Sequence, residues 1–182
     1  MPPDTTPPQC LIRPSTPADV PAMAAIYADA VASGTGSFET EAPAESELAR
    51  RREAVLAKGL PWLVVQAAGG VMGYSYATPF RPRHAYRYTV EDSVYLHRDA
   101  RGQGLGRLLL AELIVRCTAL GARQMLAVVG DSANQGSVAL HRSLGFKPAG
   151  QFDNVGRKFD RWLDIVLMQR ALGPGATVPP NA

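Results

Sequence analysis

The segment from Val94 to Ile114, VYLHRDARGQGLGRLLLAELI, changes character twice. Its front, Val94-Tyr95-Leu96, has the β-branched and aromatic content of a strand. Its back sets Leu105, Leu108, Leu109 and Leu113, followed by Cys117, along one broad face, the spacing of a half-buried helix. Between the two lie Gly102, Gly104 and Gly106 at alternate positions. One glycine suffices for a tight strand-to-helix turn; three leave a surface stripped of side chains where the helix begins. The first N–H groups of a helix have no partner within it and carry a partial positive charge. An anion can therefore come within hydrogen-bond distance of them. Arg98, Arg101 and Arg107 add cations around the turn. The stretch predicts a cradle for a phosphate or pyrophosphate.

Several phosphate ligands compete for such a cradle. A P-loop needs GxxxxGK[ST], and neither Lys-Ser nor Lys-Thr follows these glycines. A dinucleotide fingerprint needs G-x-G-x-x-G opening a βαβ unit. Here the spacing is different, Arg107 stands where the third glycine belongs, and the unit lies mid-chain without a suitably spaced acidic residue. The pyrophosphate of coenzyme A is the third candidate.

The rest of the chain bounds the answer. Its 182 residues are 46% hydrophobic and 19% charged, enough for one core in one domain. Residues 1–8 and 173–182 are rich in proline and glycine and are expected to be disordered tails around a folded domain of residues 9–172. Periodicity and turn residues predict strands at 10–13, 62–67, 71–78, 88–97, 124–129, 146–152 and 158–170. Helices are predicted from Thr16-Pro17 to Ser33, over 44–58, 105–120 and 134–144. This order predicts a mixed sheet of about seven strands flanked by about four helices. The net charge of +3 is spread out, which argues against a nucleic-acid partner. Arg50-Arg51-Arg52, set among Glu45, Glu47 and Glu53, reads as a solvated helix face. No apolar run is long enough to span a membrane. The start, MPPDTTPPQC, is no secretion signal. Two cysteines, Cys10 and Cys117, make no disulfide framework, and a cytoplasmic location is expected. Cys117, on a helix face, reads as core rather than nucleophile. No His/Cys/Asp/Glu spacing predicts a metal site.

Arg101-x-x-Gly104-x-Gly106 resembles the Q/R-x-x-G-x-G/A loop of the GCN5-related N-acetyltransferases, and the likeness extends beyond the loop. Val94-Tyr95-Leu96 matches the strand whose backbone holds pantetheine in that family. Asn134-x-x-Ser137, followed by Leu144-Gly145-Phe146, matches its closing segment. The resemblance implies that family's mostly antiparallel α/β fold and acetyl-CoA as co-substrate. It implies that Val94, Tyr95, Leu96, Arg101, Gly102, Gln103, Gly104, Leu105, Gly106, Arg107, Asn134 and Ser137 bind the cofactor.

On the acceptor side, an amine must lose a proton before it attacks a thioester. Glu91, three residues ahead of Val94, is the candidate base. Two segments, Gly36-Ser37-Phe38-Glu39-Thr40-Glu41 and Arg83-His84-Ala85-Tyr86-Arg87-Tyr88-Thr89-Val90-Glu91, are similar to the phosphinothricin and methionine sulfoximine acetyltransferases. That resemblance implies that Phe38, Arg83 and Tyr86 line an amino-acid site with Glu91 as general base. It also implies that His141, at the position where many family members carry Tyr, is the acid for the departing thiolate. It further implies a homodimer in which the last strands, with Trp162, help close the site. Arg83 suits a phosphinate, sulfone or carboxylate, which a guanidinium binds through two hydrogen bonds. Polyamine, aminoglycoside and protein N-terminal acceptors remain as alternatives, as does a non-catalytic module that binds coenzyme A.

Overall fold

The computed structural model describes residues 10–67 and 69–180. The expected N-terminal tail lies outside the described residues. The elements run β1 (Leu11–Pro14), α1 (Val20–Ser33), α2 (Glu45–Leu56), β2 (Trp62–Ala67), β3 (Gly70–Pro79) and β4 (Thr89–Leu96). They continue with α3 (Leu105–Ala119), β5 (Gln124–Gly130), α4 (Gln135–Ser143), β6 (Lys147–Lys158) and β7 (Arg161–Ala171). The strands form one 7-stranded sheet in the order β1-β2-β3-β4-β5-β7-β6, with the element order and the mixed, mostly antiparallel character that the sequence predicts.

Local chemistry explains several boundaries. Asp19 accepts from the Thr16 backbone N–H at 2.7 Å and the Thr16 hydroxyl at 2.9 Å. Arg13 donates to both oxygens of the same carboxylate, at 2.7 and 2.8 Å. This joins β1 to the entrance of α1. Arg13, then burial working the other way, then Thr16 set the Asp19 pKa, which falls to about 2. The arginine run on α2 is not wholly solvated. Arg52 is buried and donates to the Ser15 hydroxyl at 2.7 Å, whereas Arg50 and Arg51 pair with Glu47 on the surface.

The last hairpin also departs from expectation. Asp153-Asn154-Val155-Gly156 looks like a turn between two strands, yet β6 continues through it to Lys158, with a register break between Phe152 and Gly156. Asn154 takes a left-handed backbone and donates its N–H to Asp164 Oδ1 at 2.9 Å. The real turn is Phe159-Asp160, both at positive φ and neither a glycine, which is why composition misplaces it. Residues 173–176 form turns, and Arg123 donates to the Gly175 and Pro179 carbonyls at 3.2 Å.

Helices cover both sheet faces. Leu109, Leu110, Leu113 and Cys117 of α3 are fully buried with Leu63, Val65, Ala77, Met125 and Met168. On the other face α1 and α2 pack on Trp62, Val64 and Tyr74. Truncating one such buried leucine costs about 2–5 kcal/mol. Burial, and secondarily the charge of Asp92, pushes the Cys117 thiol up to about 12, consistent with a core role.

The feature that positions the site is a seam. β4 follows β3 over seven residues, from Gly73↔Leu96 to Pro79↔Val90. β5 follows β7 over its whole length. Yet β4 and β5 pair only at Thr89↔Gln124, Val90↔Met125 and Glu91↔Leu126, in parallel. From Asp92 onward the two half-sheets diverge.

Candidate active site

A cleft of about 700 Å3 opens where the strands part. One wall is β4 from Asp92 to Leu96; the other is β5 from Ala127 to Gly130. The α1–α2 loop closes one end. Gly130 approaches it so closely that a Cβ there would lie 2.5 Å from the Thr35 carbonyl oxygen. Lys158, buried on β6, holds that loop by donating to the Gly34 and Ser37 carbonyls at 2.8 and 2.9 Å. Asp131 adds a second tie, accepting from the Thr35 hydroxyl at 2.7 Å and from Arg161 at 2.6 Å.

At the other end lies the glycine turn. Gly102 and Gly104 sit at φ 75° and 81°, and a Cβ on either would meet nothing within 4 Å. They leave the start of α3 open to a ligand. Gly106 has a different job as well: a Cβ there would press on Leu96 at 3.2 Å and Leu140 at 3.5 Å. It lets α3 close on β4 and α4. Arg101 and Arg107 line the cleft. Asp29 of α1 pairs with Arg98 and also lies 3.6 Å from Arg101.

Of the residues that the sequence assigns to the cofactor, the cleft brings together Val94, Tyr95, Leu96, Arg101, Gly102, Gly104, Gly106, Arg107, Asn134 and Ser137. Two side chains turn away. Gln103 donates to the Asp99 carbonyl, and Leu105 is in the core. Only their backbone can face an anion. Asn134 caps α4, its Oδ1 accepting from Ser137 N–H at 3.2 Å.

The acceptor residues are not gathered in this cleft. Asp92 lines the cleft, whereas Glu91, on the opposite face of β4 by strand alternation, is not among the lining residues. There burial first, then the charge of Asp92, raises the Glu91 pKa, with Arg81 opposing them. Phe38 wedges against Gly130 and Gly156, and a Cβ at Gly156 would overlap its ring. Arg83 precedes an exposed 3-10 turn that ends in Tyr86, whose ring is edge-on to Phe80 at 5.6 Å.

His141 does reach the cleft, and it is buried. Its Nε2 lies 3.0 Å from Asp92 Oδ2, and its Nδ1 lies 2.7 Å from the Ser137 carbonyl oxygen. Asp92, Asp131 and Lys158 escape the sequence reading. Only the alternation rule hints at the first, since Glu91 and Asp92 cannot face the same way.

A chemical capacity follows from this geometry. An open helix start with two arginines can hold a phosphate-rich group. A strand edge with no strand opposite can hydrogen-bond an extended ligand. A buried imidazole lies where the two walls converge.

Comparison with known proteins agrees with the architecture. The acetyltransferase (GNAT) family model matches residues 23–146. The chain is 51% identical over 172 residues to a phosphinothricin N-acetyltransferase of Alcaligenes faecalis, covering 94% of this chain and 87% of that one. It is 44% identical over 172 residues to the L-methionine sulfoximine/L-methionine sulfone acetyltransferase of Pseudomonas aeruginosa, covering 92% and 98%. The crystal structure of a phosphinothricin acetyltransferase from Sinorhizobium meliloti in complex with acetyl-CoA superimposes with a TM-score of 0.92 at 44% identity, covering 94% of this chain and 93% of that one. The split sheet, the glycine-opened helix and these likenesses converge: the chain belongs to the GNAT acetyltransferase family.

Proposed function

We propose that the protein transfers the acetyl group of acetyl-CoA to the amine of a small amino acid of the phosphinothricin, methionine sulfoximine or methionine sulfone type. The observation that carries this reading is the parted β4–β5 seam running into the glycine-opened start of α3. Arg101, Arg107, Asn134 and the first N–H groups of α3 would hold the cofactor's pyrophosphate end, and the β4 backbone from Val94 to Leu96 its pantetheine. Bound acetyl-CoA supplies an acyl group activated as a thioester.

Glu91 acts as the base, directly or through a water, and removes the protons that the acceptor ammonium must lose. Its raised pKa suits this task, because a base works best near the operating pH. His141 donates its proton to the sulfur as the carbon–sulfur bond breaks and the nitrogen–carbon bond forms. Glu91 passes two protons in turn to solvent and His141 regains one, so one proton is released per turnover. Arg83 binds the anionic end of the acceptor while Phe38 and Tyr86 flank its side chain. The cluster of Arg81, Arg83 and Arg87 favours an anionic acceptor over a polyamine or aminoglycoside.

The working unit is a homodimer in the cytoplasm. Phe152, Val155, Phe159 and Trp162 expose more than half of their surface on one hairpin, an apolar patch suited to a partner. Light scattering behind size exclusion tests this, and a monomeric mass overturns it. A thiol-release assay with acetyl-CoA tests the activity against phosphinothricin, methionine sulfoximine, methionine sulfone, spermidine, kanamycin and a peptide N-terminus. Turnover with the first three alone is expected. Turnover confined to the cationic acceptors overturns the acceptor assignment.

A further inference from the structure

Asp92 has no part in the chemistry above, yet it is a buried carboxylate with its side chain 2% exposed. Its Oδ1 has no hydrogen-bond partner among the described residues. Its polar contact with the protein runs through Oδ2 to His141 Nε2 at 3.0 Å. A carboxylate with one polar contact is costly to bury unless the partner carries a proton to it. The ring's other nitrogen, Nδ1, faces a carbonyl oxygen, that of Ser137 at 2.7 Å. A carbonyl oxygen cannot donate, so Nδ1 bears a proton. With an acceptor at each nitrogen, the arrangement is satisfied by a doubly protonated ring. The Phe146 ring edge, 5.0 Å away and at 88°, fixes its plane.

We infer that Asp92 is the positioning residue for His141, holding the imidazole as a cation with its Nε2–H at the cleft wall. This deepens the proposed acetyl transfer and rests on it for the purpose of the arrangement. His141 then faces the leaving sulfur as a cation, and its charge stabilises the negative charge developing there before a ring proton is delivered. The sulfur takes the bonding electron pair, and the ring regains its proton from solvent.

The surroundings agree. Burial alone would lower the pKa of His141; the hydrogen bond and charge of Asp92, with the Ser137 carbonyl, outweigh it and raise the value. From α3, Cys117 faces Asp92 as a neutral thiol. Glu91 lies on the opposite face of β4. Arg170 of β7 is engaged by the Leu144 carbonyl.

Histidine-ring NMR of the ligand-free protein tests the inference without any turnover. The chain has three histidines, and His84→Gln and His97→Gln assign the signals. His141 is expected to titrate above the ordinary imidazole range. In Asp92→Asn its midpoint should fall by about one to three pH units. A midpoint within or below the ordinary imidazole range in the wild-type protein overturns the proposal even if Asp92→Asn does not fold. In kinetics, the alkaline limb of the kcat profile should move to lower pH in Asp92→Asn; an unmoved limb also overturns it. The NMR result in a protein inactive with every acceptor would overturn the transferase reading and still support the hold of Asp92 on His141.

Discussion

On the cofactor side of β4, much of what faces the ligand is backbone: the strand edge from Val94 to Leu96, the turn at Gly102 and Gly104, and the first N–H groups of α3. On the acceptor side the groups assigned to the substrate are the side chains of Phe38, Arg83, Tyr86 and Glu91, drawn from three separate segments. The first set converges on one cleft within a single chain. Phe38 and Glu91 are half-buried, whereas Arg83 and Tyr86 stand in solvent. Recognition by backbone needs one local geometry and tolerates changes of side chain. Recognition by side chains needs several segments to converge. One half of such an enzyme can stay fixed while the other is retuned, with pocket changes worth about 1–3 kcal/mol per contact.

The contrast can be broken by experiment. Glu91→Gln should produce the largest change, lowering kcat about 10²–10⁴-fold while calorimetric affinity for acetyl-CoA is retained. In the wild-type protein the acid limb of kcat/KM should lie above the ordinary glutamate range, because burial raises the Glu91 pKa and the base works only when deprotonated. A limb in the ordinary range would separate Glu91 from the reaction. Next comes Gly104→Val. It places a branched side chain at φ 81°, with a backbone strain of about 1–2 kcal/mol, and it narrows the cradle. The KM for acetyl-CoA should rise some tens of fold, with the acceptor KM unchanged. Equal rises in both would erase the division between the two sides.

Arg83→Lys should do the reverse, raising the acceptor KM about tenfold through loss of a two-pronged contact worth about 1.5 kcal/mol and leaving acetyl-CoA affinity alone. Asp19→Asn lies far from both sites and should leave both KM values unmoved. The Asp19 carboxyl falls from 3.8 to about 2, so its stabilisation of about 2 kcal/mol is present above pH ~4 and lost as pH falls toward ~2. Chemical denaturation at pH 7 and pH 3 should show the difference between wild type and variant shrinking at the lower pH.

Much of this was legible in the residues, and the exceptions have physical causes. The cofactor side is encoded locally, as glycines at a helix start and the strand before it, so a short window of sequence reveals it. Long-range pairs are not encoded that way. Asp92 and His141 are 49 positions apart and meet because α4 packs on α3 and β5 beside the end of the β4–β5 seam. Lys158 reaches the α1–α2 loop across 121 positions. The Phe159-Asp160 turn was hidden because it adopts positive φ without glycine, while Asn154 and Gly156 advertise a turn and instead absorb a register break. Arg52 looked like its neighbours because burial is a property of the assembled core, not of a charge run.

The three-pair seam between β4 and β5 has a thermodynamic consequence. A sheet gains cooperativity from continuous ladders, and here the ladder is interrupted at its centre. A ligand that lies along the free edge of β4 takes the place of the missing neighbour, so it becomes part of what holds the two halves in register. At a hundredfold excess over its Kd such a ligand adds about 2.7 kcal/mol to folding stability. That is a sizeable fraction of the 5–15 kcal/mol that keeps a domain of this kind folded. The lifetime of the protein in a cell is then tied to the supply of the cofactor it consumes.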